Sequence, residues 1–240
     1  MIETENSGLV AALFDLDGTL CNTRRLALSI VGYQFKNNPA RIPSAVIYVM
    51  TQVAGLLFFR AGLLTYARLA QFGVAFLARL LKGFGKTEIL SLFSRAAQMT
   101  VNTARQETLN LLRWHQEEGH TVLLVSGGFQ PFVREVASLL GINHTVGTAL
   151  EEANDCYTGR LAGTFCHGDE RARLVRHFIE VSGFDVDLSS SYAYGDRVHD
   201  IPMLEMVGHP MAVYPDKEFL TYANESGWTV IGGSAGKSPN

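Results

Sequence analysis

The sequence has few cysteines, few prolines and, over one long stretch, no acid at all. Three cysteines in 240 residues, Cys21, Cys156 and Cys166, share no metal-ligand spacing, and an odd count argues against a disulfide framework. A reducing, cytoplasmic setting is expected. No basic segment followed by an apolar run lies near the N-terminus, where Glu3 and Glu5 sit instead, so no secretory leader is expected. The uncharged run from Ser44 to Phe59 is 16 residues long, short of the roughly 20 that a membrane-spanning helix needs. The seven histidines show no paired spacing on a helix, which gives no zinc site, and His167 and His199, which flank the candidate site, are expected as surface imidazoles. Nucleic acid is not an expected partner, because the basic part of the chain is apolar and carries no binding motif.

The missing acids divide the chain. Between Gly18 and Thr87 there are nine Lys and Arg and no Asp or Glu, so the remainder carries −12 of a total of −3. Two parts so unlike in charge face different things. In the basic part Arg68, Gln71, Ala75, Arg79 and Lys82 recur at steps of three and four, and leucine and phenylalanine fill the intervening positions. That is the pattern of an amphipathic helix. Two or more helices are expected here, ending at Gly62 and at Gly83-Phe84-Gly85. Their apolar side either packs inside the protein or forms a basic, apolar surface for anionic lipid or an acidic, greasy substrate. A composition 47% hydrophobic and 18% charged is globular, and the length suffices for one large domain or a core with an insert.

Outside the basic part, three strands end in polar groups. Leu9 to Phe14 reads as a strand buried on both faces, and it ends on Asp15 and Asp17, with Gly18 allowing a sharp turn. Two acids there are costly without a cation between them, and Mg²⁺, a hard ion that takes oxygen ligands, fits; as solvated turn residues before a helix they would need none. A helix over 104–118 leads to a second buried strand, Thr121 to Val125, which closes on Ser126-Gly127-Gly128 and a helix over 130–140. A hydroxyl and several backbone N–H groups at one point suit a phosphate oxygen, and an N-capping Ser126 would look the same. A short strand over 144–150, a glycine-rich hairpin over 155–165 and a helix from Gly168 to Ser182 follow. Ser191 to Tyr194 is the third strand, ending on Gly195-Asp196 with Asp200 four residues on. Met211–Val213 and Trp228–Ile231 complete the set, and the tail from Gly232 is expected to fray. In a doubly wound parallel α/β sheet such strand ends share one rim, where ligands bind. Four acids, a serine and glycines would then converge on a metal and a phosphoryl group.

These motifs, in this order, resemble the haloacid dehalogenase (HAD) superfamily, and within it the subclass IB phosphatases, phosphoserine phosphatase-like enzymes with a helical cap inserted after the first strand. Asp15-Leu16-Asp17-Gly18-Thr19-Leu20 matches the first family motif and Ser126-Gly127-Gly128 the second. Gly195-Asp196 with Asp200, followed by Ile201-Pro202-Met203-Leu204, matches the fourth, and Thr158-Gly159-Arg160-Leu161 is similar to the subclass hairpin. The third motif places a lysine at the start of the helix after the hairpin. This sequence has no lysine between Lys86 and Lys217 and offers Arg171 there, with Arg173 as a second candidate. A guanidinium is wider than an ammonium and forks its hydrogen bonds, so the exchange is not neutral. The resemblance implies a Rossmann-like core over 1–20 and 104–240, with 21–103 as a basic, apolar helical cap of type C1.

It implies, too, a Mg²⁺-dependent phosphomonoester phosphatase. Asp15 would attack phosphorus and form an aspartyl-phosphate, and Asp17 would act as general acid and then base. Mg²⁺ would be held by the Asp15 carboxylate, the Asp17 backbone carbonyl, Asp196 and Asp200. Ser126 and Arg171 would join the catalytic set, and Gly18, Gly127, Gly128 and Arg173 would bind the phosphoryl group. The expected substrate is a small phosphorylated metabolite or a phospholipid-type headgroup, the latter with peripheral membrane contact through the cap. Alternatives are a phosphotransferase to an alcohol acceptor and a weakly active or non-catalytic phospholigand-binding relative.

Overall fold

The computed structural model describes residues 8–22, 25–37 and 39–232. The tail beyond Gly232, expected to fray, and Arg24 of the basic stretch lie outside them. Strand β1 (Ala11–Asp15) is apolar up to its last residue and buried along its whole length. A strand with no face for water belongs in the middle of a parallel sheet. Accordingly β1 pairs in parallel with β2 (Thr121–Phe129) on one side and β6 (Tyr192–Gly195) on the other. Strand β3 (His144–Thr148) lies beyond β2, and β7 (His209–Val213) and β8 (Thr229–Ile231) lie beyond β6. The order is β3-β2-β1-β6-β7-β8, all parallel. The chain winds away from one side of β1 and then from the other, which leaves a crevice at the carboxyl ends of the central strands. This is the doubly wound α/β architecture expected.

Alternate residues of the central strands feed two apolar cores. Ala12 and Phe14 of β1, with Leu124 and Tyr194, face one side; Ala11 and Leu13, with Leu123 and Ala193, face the other. Phe14 and Tyr194, partners across the ladder, stack at 4.3 Å. Helices α7 (Asp169–Ser182), α8 (Ile201–Leu204) and α9 (Lys217–Glu225) cover the second face through Val175, Leu204 and Phe219. The first face takes α5 (Gln106–Glu117) and α6 (Gln130–Leu139). The same continuous cluster includes side chains from the residues between β1 and α5.

That insert forms α1 (Arg25–Asn37), α2 (Ile42–Arg60), α3 (Tyr66–Leu80) and α4 (Lys86–Val101). Local chemistry sets the ends. Gly62 and Gly83, at φ of +73° and +77°, take the left-handed turns that close α2 and α3. Thr65 caps α3 by accepting the Arg68 N–H. Arg41, counted in the basic stretch, is drawn inward: its guanidinium lies 4.3 Å from the Phe84 ring centre and donates to the Leu80 carbonyl.

Two expectations shift. The hairpin lies upstream of its expected place, with β4 (Leu150–Ala153) and β5 (Cys156–Leu161) paired across Asn154 and Asp155. Both turn residues are left-handed, at φ of 50° and 58°, as a two-residue turn matched to strand twist requires. Asn and Asp supply that conformation without glycine, and the glycines further on drew the expected turn too far along the chain. Gly159 instead sits within β5, where a Cβ would lie 2.7 Å from that of Lys82, so its bare backbone lets α3 approach. Gly83 N donates to the Tyr157 carbonyl at 2.7 Å and Lys86 N to that of Asp155 at 2.9 Å, which pins the α3–α4 turn to the hairpin. Strand β2 also runs on through Ser126-Gly127-Gly128 to Phe129, with a break in register between Val125 and Phe129, instead of stopping at Ser126.

Candidate active site

The carboxyl end of β1 carries Asp15, and Asp196 follows the end of β6. A short 3-10 turn, Val198–Asp200, folds Asp200 back beside them. All three acids are buried, and one oxygen from each lies within 4.8 Å of the others. Two glycines permit this approach. A Cβ on Gly195 would lie 2.6 Å from that of Asp200, and one on Gly18, at φ +104°, would collide with an Asp196 carboxylate oxygen. Asp200 Oδ2 accepts the Asp196 and Arg197 N–H groups at 3.1 Å each, which fixes the turn.

Arg171, buried in the first turn of α7, reaches into this cluster. Its Nη1 donates to Asp200 and lies 2.8 Å from Asp15 Oδ1. Burial works against its charge, yet Asp200 and Asp15 hold it protonated, above the usual guanidinium value. Burial, and next the Asp200 charge, push the Asp15 carboxyl well above the carboxylate range, with Arg171 opposing. Three buried carboxylates thus face one buried guanidinium; Arg197, 3.3 Å from Asp196, is half-exposed. An all-oxygen donor set with surplus negative charge suits a hard divalent ion, so Mg²⁺ fits these residues.

A cavity of about 390 Å³ opens between the rim and the insert. Asp15, Asp17, Gly127, Gly128 and Arg171 line its floor, while Tyr48 and Gln52 of α2 and Tyr66 and Leu69 of α3 line its walls. The Asp17 carboxylate stands outside the close triplet. Ser126 is buried and not part of the lining; its Oγ accepts the Gly128 N–H at 3.0 Å. Gly18 does not line the cavity either, and its N–H is spent on the Cys21 carbonyl at 2.7 Å, so it serves the approach of Asp196 and not a phosphoryl oxygen. Arg173 is a further correction. Two residues on from Arg171, it emerges on the opposite side of the helix, stays 57% exposed and pairs with Glu170.

Some lining residues escaped the sequence. His167 and His199, expected at the surface, are half-buried cavity walls. His167 stacks on Phe165 at 5.1 Å, His199 on Tyr66 at 5.8 Å, and the two imidazoles lie 4.4 Å apart. The position of both beside the site motifs was the available signal, and their side chains turn inward where surface imidazoles were expected. Tyr66 and Gln52 gave none, because nothing in a helical pattern says which turn faces a site.

The family model for haloacid dehalogenase-like hydrolases matches residues 12–205. A histidinol-phosphatase of Neisseria meningitidis is 29% identical over 227 residues, 92% of this chain and 97% of that protein. A phosphoserine phosphatase of Mycobacterium tuberculosis is 32% identical over 123 residues, 51% of this chain and 39% of that protein, so the chain spans well under half of this relative. Among solved structures, a protein of unknown function from Bordetella pertussis Tohama I shares the fold at a TM-score of 0.77 and 24% identity, covering 94% of this chain and 99% of that one. With the matched family spanning β1 through the Asp196–Asp200 turn, the chain belongs to the haloacid dehalogenase-like hydrolases.

Proposed function

We propose that the protein is a Mg²⁺-dependent phosphomonoester phosphatase working through an aspartyl-phosphate on Asp15. The observation that carries this is Asp15 on the cavity floor, within 4.8 Å of Asp196 and Asp200 oxygens and in contact with Arg171. The activities named for the relatives, a histidinol-phosphatase and a phosphoserine phosphatase, support a phosphoric monoester as substrate. Asp15 attacks phosphorus, and an acyl-phosphate bond forms as the ester P–O bond breaks. Asp17 protonates the leaving oxygen and then takes a proton from the water that cleaves the acyl phosphate. Arg171 holds Asp15 in place and opposes the rise that burial and Asp200 impose on its carboxyl, and Gly127, on the floor, would donate its N–H to a phosphoryl oxygen. Asp15, the Asp17 carbonyl, Asp196 and Asp200 would hold Mg²⁺, which would supply charge to offset repulsion between carboxylates and phosphate.

Residues 21–103 act as the cap that closes the cavity and selects the leaving group. The three cysteines, all free, suit a reducing cytoplasm. Turnover of p-nitrophenyl phosphate that requires Mg²⁺ and falls about 10³-fold or more in Asp15→Asn tests the reading. An Asp15→Asn protein as active as the parent would sink it.

A further inference from the structure

Helix α2 is apolar on all sides and yet mostly uncovered. Among the described residues it is the one helix long and apolar enough to cross a membrane, and only 17% of its apolar window is buried within the protein. Met50 and Leu57 are 63% and 62% exposed, and Leu63 of the following turn and Phe72 of α3 are 75% and 68% exposed. A soluble protein rarely leaves such a contiguous apolar face open to water without a partner. The charge around it says which partner. No acid lies between Gly18 and Thr87, while Arg60, Arg68 and Arg79 are all exposed. A second copy of the chain would set like charge against like across a two-fold interface. An anionic lipid surface meets both features at once, the apolar side chains entering the headgroup boundary and the bases matching its charge.

The same helices wall the active site. Tyr48, Gln52 and Leu56 of α2 line the catalytic cavity. On the outer side of α2 and α3 a second cavity of about 480 Å³, lined by Phe58, Phe72 and Phe76, shares Gln52 and Leu69 with the first. Gly55 and Gly73 let the helices close on one another at this seam: a Cβ on Gly55 would collide with Leu69, and one on Gly73 would lie 2.9 Å from Gln52 Oε1. Among the described lining residues of the catalytic cavity, Arg171 is the one cation, and the acids Asp15 and Asp17 belong to the phosphoryl end. The room left for the leaving group is bounded by Leu26, Val74, Leu77, Phe129 and Phe132. Its polar groups are Tyr48, Gln52, Tyr66 and the two histidines. Away from the phosphoryl end no Asp, Glu, Lys or Arg among the described residues lines the cavity, so an ammonium finds no carboxylate and a carboxylate finds only the two imidazoles, whereas an alkyl chain finds apolar walls.

We propose that the exposed α2–α3 face docks the protein on an anionic bilayer, and that a phosphate monoester with an apolar tail enters from it, its tail lying along the seam at Gln52 and Leu69. The second half rests on the phosphatase reading above. Flotation with vesicles of phosphatidylcholine containing about a third phosphatidylglycerol tests the first half. Binding at low salt at least about tenfold stronger than to pure phosphatidylcholine is expected, with a tenfold or greater loss in Met50→Glu/Leu57→Glu. Arg60→Gln/Arg68→Gln, which leaves the apolar face intact, should weaken binding and flatten its salt dependence. No vesicle binding at low salt overturns the docking, as does a Met50→Glu/Leu57→Glu protein that floats like the parent. A concentration-dependent dimer that this pair of changes dissociates, with no vesicle binding, would instead make the face a contact between copies.

For the second half, kcat/KM on dissolved monoalkyl phosphates should rise at least about tenfold from butyl to octyl, the ceiling being about fourfold per buried methylene. Octyl phosphate should exceed phosphoserine by a similar factor. A flat series or a preference for phosphoserine overturns the tail. Absence of turnover on every monoester would remove the phosphatase reading and the tail with it. Flotation needs no turnover, so inactive Asp15→Asn must still float.

Discussion

The rim of the sheet and the inserted helices meet at one cavity and are built on opposite terms. At the rim, charge is packed away from water: Asp15, Asp196, Asp200 and Arg171 are all buried, held close by bare backbone at Gly18 and Gly195. In the insert, apolar surface is left in water: α2 shows Met50 and Leu57 outward and keeps only Ala45, Tyr48 and Gly55 buried. Each arrangement is costly by itself, charge in a low-dielectric site and exposed apolar area. An ion and a phosphate would relieve the cost at the rim, and an apolar partner the cost on α2. The two regions thus call for opposite kinds of ligand, and the same apolar cluster runs beneath them.

The sharpest way to break this contrast is at Arg171. Arg171→Ala leaves two buried carboxylates without their cation, and a loss of about 3–5 kcal/mol in unfolding free energy is expected, with turnover down about 10²–10³-fold. Arg171→Lys should recover most of the stability in denaturant titrations; an alanine variant as stable as the parent would mean that charge does not hold the rim. In the insert, Gly55→Leu forces α2 off Leu69 and should cost about 1–3 kcal/mol. Because the insert shares its cluster with the sheet face, fluorescence and circular dichroism should report one coincident transition for parent and variant. Two separate transitions would show the insert folding as its own unit.

A pH effect should come next in size. Burial, helped by the neighbouring His120, lowers the pKa of His115 from 6.5 to about 4, where it contacts Tyr194 Oη at 2.8 Å. Between about pH 4 and 6.5 the unfolded chain binds a proton there that the folded protein does not. The stability this group contributes is therefore full above 6.5 and lost as pH falls through that window. His115→Gln should flatten the acid limb of the stability profile; an unchanged slope would assign it to other groups. Smallest of all, Arg173→Ala should alter stability by less than about 0.5 kcal/mol and leave KM unchanged. A raised KM would restore the residue to the phosphate site.

The rim was legible in the sequence because buried parallel strands are apolar throughout, so the polar residues that end them stand out. Asp15, Asp196 and Asp200 were found that way, and the structure brings them together. Arg173 misled because it neighbours Arg171 in sequence while a helix turns it to the far side. The hairpin was misplaced because glycine is a stronger turn signal than the Asn154-Asp155 pair that makes the turn. The exposure of α2 was left open by the sequence, between a face packed inside and a basic, apolar surface: an apolar run states what a helix would bury, not whether the fold provides anything to bury it against.

The backbone clasp between Gly83 and Tyr157 and between Lys86 and Asp155 has a mechanical consequence. Tied to the hairpin at that corner, the insert would have its freedom at the opposite edge, along α2 and the first turns of α3, where Tyr66 stacks on His199. Opening there would uncover the Asp15 cavity on the side that carries the exposed Phe58 and Phe72.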